Sequence, residues 1–219
     1  MRCPRGAVVA TAAAALVVPP TVASAHVEDD GEGDAAVATV ARELDGPRQL
    51  DDYGEGRLVV AESDTGEVSS VDLASGEVRA LLSDLGYAQG VGFDDGLLFV
   101  AVGTPGPGET PRGRFNAALV VATPEGEVVR TVDLLAYEEA NNPDGQVQLV
   151  DGQPVDALTN PYAVLVQDDR VLVADGGAND VLAVDRESGE VSTFFVPPNV
   201  TADEVPECGQ PEAQANPGT

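Results

Sequence analysis

The sequence predicts an all-β protein made of β-propeller blades. Each blade has four antiparallel strands, and about three blades are present as an incomplete ring. Three observations carry this. "RLVVAESDTGEVSSVDLASGEV" from Arg57 and "RVLVADGGANDVLAVDRESGEV" from Arg170 align without a gap, at a constant offset of 113 residues. A third copy of the refrain, disguised by an insertion, lies between them. Short Val- and Leu-rich runs alternate with Gly, Asp, Pro and Ser, and no helical period is sustained beyond a single turn near "LLAYEEANN". Self-similarity at a fixed period is the mark of a repeat architecture, and four strands to the unit is the anatomy of a propeller blade.

The elements follow in order. Residues 1–25 read as a secretory signal peptide: a basic opening with Arg2 and Arg5, the apolar "AVVATAAAALVV", then "ASA" as the cleavage site. The apolar run is too short to span a bilayer, so the protein is expected to be secreted and extracytoplasmic. Residues 26–35, "HVEDDGEGDA", read as an acidic flexible tether. The partial propeller is expected over 36–198, with blades at about 46–87, 88–135 and 159–198. "VATVAREL", ahead of the first blade, resembles a fourth strand and is expected to complete a last blade.

Within each blade the runs are "GPRQL" or "NPYAVLV", "RLVVAES" or "RVLVADG", "EVSSVDL" or "DVLAVDR", and "EVRALLSDL" or "EVSTFFVPP". Gly76 and Gly189 supply positive φ in the turn before the fourth run. In the middle copy Ala101 matches Ala61 at an offset of 40 and Gly126 matches Gly76 at an offset of 50, so ten residues are inserted between them. A second inserted loop, 136–158, separates the second and third blades, and 199–219 form an irregular tail.

Charge narrows the partners. The net charge is −27, there is no Lys, and removal of the leader with its two Arg takes it to −29. Such a surface repels phosphate backbones and anionic lipid, so neither nucleic acid nor membrane is an expected partner.

Several of these runs resemble the ScyD/ScyE family of secreted bacterial propellers. They are "LDGPRQL", "GRLVVAESDTGEV", "AYEEANNPDG", "NPYAVLV" and "RVLVADGGANDVLAVDRESGEV", in order over roughly residues 37–208. The resemblance implies a six-bladed, TolB-like ring in a family most of whose members have no established activity. The refrain occurs here three times, and "PRQLDDYG" stands where the family usually shows a "PRGL…DG" opening.

The inventory of chemistry is short. The one His, His26, lies in the tether, which disfavours a Ser-His-Asp triad or a His-based zinc site in the folded part. No catalytic residue is assigned. Oxygen ligands remain: Glu138, Asn141, Asn142 and Asp144 on the inserted loop, with Asp156, Asn160 and Tyr162 where the next blade begins. Loops between blades gather at a propeller's mouth, a usual place for ligands. Such a set is compatible with Ca²⁺, although no cofactor is required, and Asn, Asp and Pro also serve simply as turn formers there. "DGGAND", Asp175–Asp180, reads as a tight turn in which Asn179 and Asp180 bond backbone amides.

The expected function is a non-catalytic module that binds a small molecule, glycan or protein. The alternatives are a metal-assisted lactonase- or lyase-like enzyme and a fragment without function of its own. Rings close with 4 to 8 blades, so this chain is expected to be the front part of a longer protein, with a downstream partner for Cys208, or a half-ring that self-associates through its open blade edges. The DNA immediately downstream tests this: an in-frame continuation with three more refrains is the expected result, and a stop codon would remove the expectation.

Overall fold

The computed structural model describes residues 37–106, 108–145, 148–150, 153–155 and 158–198. The leader, the tether, Asp156, Cys208 and the tail lie outside these. Every strand among the described residues lies in the compact unit 39–219.

The strands form three four-stranded antiparallel sheets, each a simple meander. Blade 1 is β1 (Pro47–Gly54), β2 (Arg57–Glu62), β3 (Glu67–Asp72) and β4 (Val78–Leu82). Blade 2 is β5 (Tyr87–Asp94), β6 (Leu97–Gly103), β7 (Ala118–Ala122) and β8 (Val128–Asp133). Helix α1 (Leu134–Asn141) and a hairpin of β9 (Gln148–Val150) and β10 (Gln153–Val155) follow. Blade 3 is β11 (Pro161–Val166), β12 (Arg170–Asp175), β13 (Asp180–Asp185) and β14 (Val191–Phe195). Val60, Ala101 and Val173 fall on β2, β6 and β12, the second strand of each blade, as the repeat requires. The sheets do not close into a ring.

The alternation of side chains explains why β6 and β7 read as unbroken apolar runs. One face of blade 2, with Leu98, Val100, Val102, Val120 and Ala122, packs on Val59, Ala61 and Val68 of blade 1. Its other face, with Phe99, Ala101, Leu119 and Val121, packs on Val164, Val171, Val173, Leu182 and Val184 of blade 3. A strand buried on both sides has no polar position to alternate with. The repeat adds a further point. Val59, Ala61 and Val68 correspond to Leu172, Ala174 and Val181, which lie on the face of blade 3 turned away from blade 2. Exposed Leu165, opposite Leu172, and exposed Phe195, opposite Val181, lie on that same face.

The innermost strands come close together. Gln49 on β1 reaches β11, its Nε2 donating to Val164 O at 2.6 Å and its Oε1 accepting from Val164 N at 2.9 Å. Gly90 on β5 lies between them, where a Cβ would stand 2.8 Å from Ala163 Cα and 2.8 Å from Gln49 Oε1. No residue with a side chain fits there without moving backbone.

The refrain "D-x-x-S-G-E" is a capped turn. Asp72 Oδ1 accepts from Ala74 N, Ser75 N and Ser75 Oγ at 2.7–3.0 Å, and Asp185 Oδ1 accepts from Glu187 N, Ser188 N and Ser188 Oγ at 2.7–3.1 Å. Hydrogen bonds from Ser75 and Ser188 hold both carboxyls below the usual carboxylate range. Gly76 and Gly189 close the turns at φ 75° and 79°.

Two expectations need correction. The stretch around Val40 is not a strand: it runs as irregular chain with Val40 half exposed. A strand exists only with an edge to pair on, and no described sheet takes it. The single turn expected near "LLAYEEANN" is a full helix of eight residues.

Truncation on the shared faces should cost far more than truncation on the open one. Leu98→Ala is expected to lower the unfolding free energy by about 2–5 kcal/mol, and Leu165→Ala, at 59 % exposure, by less than about 0.5 kcal/mol. Urea denaturation of the two variants measures both.

Candidate functional site

The two ends of the blades differ. At one end the strands are joined by tight turns, at 54–57, 94–97, 166–170 and in the capped refrains. At the other end lie both insertions: the loop 104–117, where blade 1 has only 63–66, and the segment from α1 to Asn160. The longer connections are tied down. Arg112 donates to Asp64 O at 2.8 Å and to Ser63 O, and its guanidinium lies over the Tyr87 ring at 4.2 Å. Thr104 N donates to Asn160 Oδ1 at 3.1 Å, joining the two insertions.

At this end a group of buried oxygens collects between α1 and the β12–β13 turn. Asp133 caps the helix, accepting from Ala136 N at 3.0 Å. Leu134 and Glu138 follow one turn apart on the same face, so when Leu134 enters the core between blades 2 and 3, Glu138 is carried inward with it. Asn142 ends the helix in the left-handed region at φ 39°. That turn delivers Asp144, whose Oδ2 accepts from Asn179 Nδ2 at 2.9 Å. From blade 3, Asp175 Oδ1 accepts from Asn160 N, Gly177 N and Ala178 N at 2.7–3.0 Å. At the equivalent position in blade 1, Glu62 accepts from a single amide, Asp45 N, at 2.6 Å.

Glu138 is 2 % exposed, Asp175 3 % and Asp180 4 %. Among the described residues, Glu138 Oε2, Asp175 Oδ2, Asn179 Oδ1, Thr159 Oγ1 and both Asp180 oxygens are buried without a hydrogen-bond partner. Buried polar groups are normally paired, so this concentration is unusual. Burial, with Asp144 and Asp175 nearby, pushes Glu138 up to about 7. Burial, with Asp175, Glu138 and Asp144, pushes Asp180 up to about 8. Burial raises Asp175 too, against the three backbone N–H groups that oppose it. Among the described residues the Arg ion pairs are with acids elsewhere, such as Arg186 with Asp94 at 2.7 Å.

The residues singled out from sequence divide. Glu138 and Asp144 meet here; Asn160 joins only through its backbone N, its side chain accepting from Thr104 N, and Asn142 ends the helix between Glu138 and Asp144. Asn141 does not: its Nδ2 donates back to Tyr137 O at 2.8 Å on the exposed side of the helix. Tyr162 is 44 % exposed, and its hydroxyl faces Arg48 Nη1 at 3.4 Å. Asp156 lies outside the described residues. The sequence reading missed Asp175, Asn179 and Asp180 as members of the cluster, and it assigned the amide bonds of "DGGAND" to the wrong side chains. Asp175 makes them, because it stands at the end of β12 where the turn amides converge. Asp180 starts β13 and its carboxylate faces the cluster. The refrain carries acids at both positions, Glu62 and Glu67 in blade 1 against Asp175 and Asp180 in blade 3, so the repeat alone did not mark Asp180 as different; α1 packed beside it does.

A second cavity, of about 220 Å³, opens at the opposite end among β1, β5 and β11, beside Gln49, Asp51, Asp94 and Gln167. All four are already engaged: Gln49 with Val164, Asp51 with Phe93 N at 3.0 Å, Asp94 with Arg186, and Gln167 Oε1 with Arg170 Nε at 2.8 Å.

No family model and no curated protein matches the chain. Among solved structures it is similar to a chain in the crystal structure of a nidogen/laminin complex, with 18 % identity and a TM-score of 0.47 over 70 % of this chain and 48 % of that one. It is also similar to a chain of a S. cerevisiae complex of a Dbp5 variant with Nup159, Gle1, IP6 and ADP, with 13 % identity and a TM-score of 0.40 over 67 % of this chain and 36 % of that one. The chain spans about half and about a third of the length of those two chains.

The cluster makes metal-free stability pH-dependent. Glu138 and Asp180 have ordinary values of 4.5 and 3.8 and folded values near 7 and 8. The folded state therefore holds the extra protons, and their contribution is complete below about pH 4 and lost as pH rises through 7 and 8. In metal-free buffer, Tm is expected to fall between pH 5 and pH 8.5, within the window these values define. Asp180→Asn should flatten the fall and raise Tm at the alkaline end by a few degrees, at about 2–4 °C per kcal/mol for a domain of this size. Thermal melts across pH read both.

Proposed function

We propose that the protein is an extracytoplasmic, ScyD/ScyE-like propeller that acts as a non-catalytic binding module through its loop-bearing end. The observation that carries this reading is the asymmetry of the blades. Both insertions, 104–117 and 134–160, emerge from the same end, and the other end has only tight turns. A scaffold that elongates its loops at one end offers a surface there at little cost to the core. The loops are braced by Arg112 on blade 1 and by Asn160 between blades 2 and 3, which preserves their shape before a ligand arrives. Preorganisation of this kind reduces the ordering cost of binding.

The chemistry of the surface favours a neutral or cationic small molecule, a glycan or a protein over a polyanion, given a net charge of −27. The leader-like N-terminus supports an extracytoplasmic setting, and the runs shared with ScyD/ScyE propellers support the family reading. The metal-assisted hydrolase remains the competing reading because Glu138 lies near 7 in a buried site.

A glycan and small-molecule panel tests the proposal, run on the full chain and on two altered forms. One replaces 105–116 with a short Gly-Ser turn; the other alters the opposite end at Glu187. Expected is a ligand that binds the wild type and the Glu187→Ala form equally and the loop-shortened form at least about tenfold more weakly. Turnover of a lactone substrate that Glu138→Gln abolishes would replace this reading with the enzymatic one.

A further inference from the structure

We propose that the buried oxygens of Glu138, Asp175 and Asp180, with the Asn179 carbonyl, form a Ca²⁺ site that fastens α1 to blade 3. This goes beyond the binding-module reading and does not rest on it, since the loop face can bind a ligand with or without an ion beneath it.

The argument starts from what is unpaired. An acidic cluster on a surface is ordinary, because water solvates it. Here the members are 2–4 % exposed, and Asp180 has neither oxygen bonded among the described residues. Glu138 Oε2, Asp175 Oδ2 and Asn179 Oδ1 add three more unpaired acceptors. All of these are acceptors, so they cannot satisfy one another without bound protons. Protons, a donating water or a cation must occupy the space between them. The charge is also concentrated: Asp144 and Asp175 raise the proton affinity of both Glu138 and Asp180, and Glu138 raises that of Asp180. Asp144 already accepts from Asn179 Nδ2, which holds the amide with its carbonyl free.

The donor set selects the ion. It consists of carboxylates and an amide carbonyl, without nitrogen or sulfur, which suits a hard cation. Three carboxylates from a helix and a turn form an irregular cage, and Ca²⁺ accepts irregular geometry where Mg²⁺ demands an octahedron. Among the described residues no three acids stand in ready-made coordination geometry. The ion would draw them together, and the eight-residue α1 is short enough to follow.

Placement gives the site its consequence. Glu138 comes from α1, and Asp175 and Asp180 flank the β12–β13 turn. Outside the cluster, α1 is tied to blade 3 by the Tyr137 hydroxyl and Thr193 Oγ1 at 2.8 Å. An ion here would lock the second insertion onto blade 3 and set the position of the loop-bearing surface.

The test is calorimetric titration of the full chain with CaCl₂ at physiological salt, where diffuse attraction to a negative surface is screened. Expected is one saturable site, with affinity rising as pH rises from 6 to 9 because the ion displaces protons. Asp180→Asn and Glu138→Gln should each weaken binding at least about tenfold, and Asp168→Asn, at the opposite end, should leave it unchanged. Asp175→Asn is avoided because Asp175 also holds three backbone amides. Should either variant misfold, Tb³⁺ luminescence on the wild type gives a second reading. Emission sensitised through Tyr137, next to Glu138, should appear, be displaced by Ca²⁺, and fall in Tyr137→Phe. Uptake that never saturates, a site that survives both variants, equal binding of Mg²⁺, or no Ca²⁺-displaceable Tb³⁺ emission would overturn the proposal.

Discussion

Face-to-face packing on blade 2 is the constraint from which the rest of the structure follows. Its central strands are apolar on both sides, so each face must be covered by another sheet. Blade 1 covers Leu98, Val100 and Val102, and blade 3 covers Phe99, Ala101 and Leu119. Once both are in place, the three innermost strands converge closely enough for Gln49 to bond Val164 past Gly90. The ends of the blades then face consistent directions, and the loops of neighbouring blades meet at one side.

The same packing creates the buried carboxylates. Leu134 enters the core at the margin of blades 2 and 3, and helical geometry takes Glu138 with it. Blade 3 brings Asp175 to the same place for a different reason, since its carboxylate gathers the Asn160 amide that leads into the blade and the Gly177 and Ala178 amides of the β12–β13 turn. A repeat architecture uses an acid at this position twice, as Glu62 and as Asp175. Only in blade 3 does the inserted helix bring another acid against it. The cluster is the meeting of a repeated structural device with an element the other blades lack.

The open faces follow the same logic. Leu172, Ala174 and Val181 occupy the positions that in blade 1 press against a neighbour. The repeat thus marks that side of blade 3 as a packing surface by equivalence with one already buried.

The sequence by itself determined the blades. The refrain set four strands to the unit, the Gly76 and Gly189 turns and the equivalence of Val60 with Val173 and of Ala61 with Ala101, because strand period and turn chemistry are local. It also showed Glu138, Asn142, Asp144 and Asn160 as a candidate set, since they crowd two short segments. Asn141 and Tyr162 share those segments but point elsewhere, and Asp180 was not in the set. Only the tertiary structure decided these. Whether a carboxylate solvates, caps or stays unpaired depends on what packs over it, and the partner of Asp180 in space, Glu138, is 42 residues away in the chain.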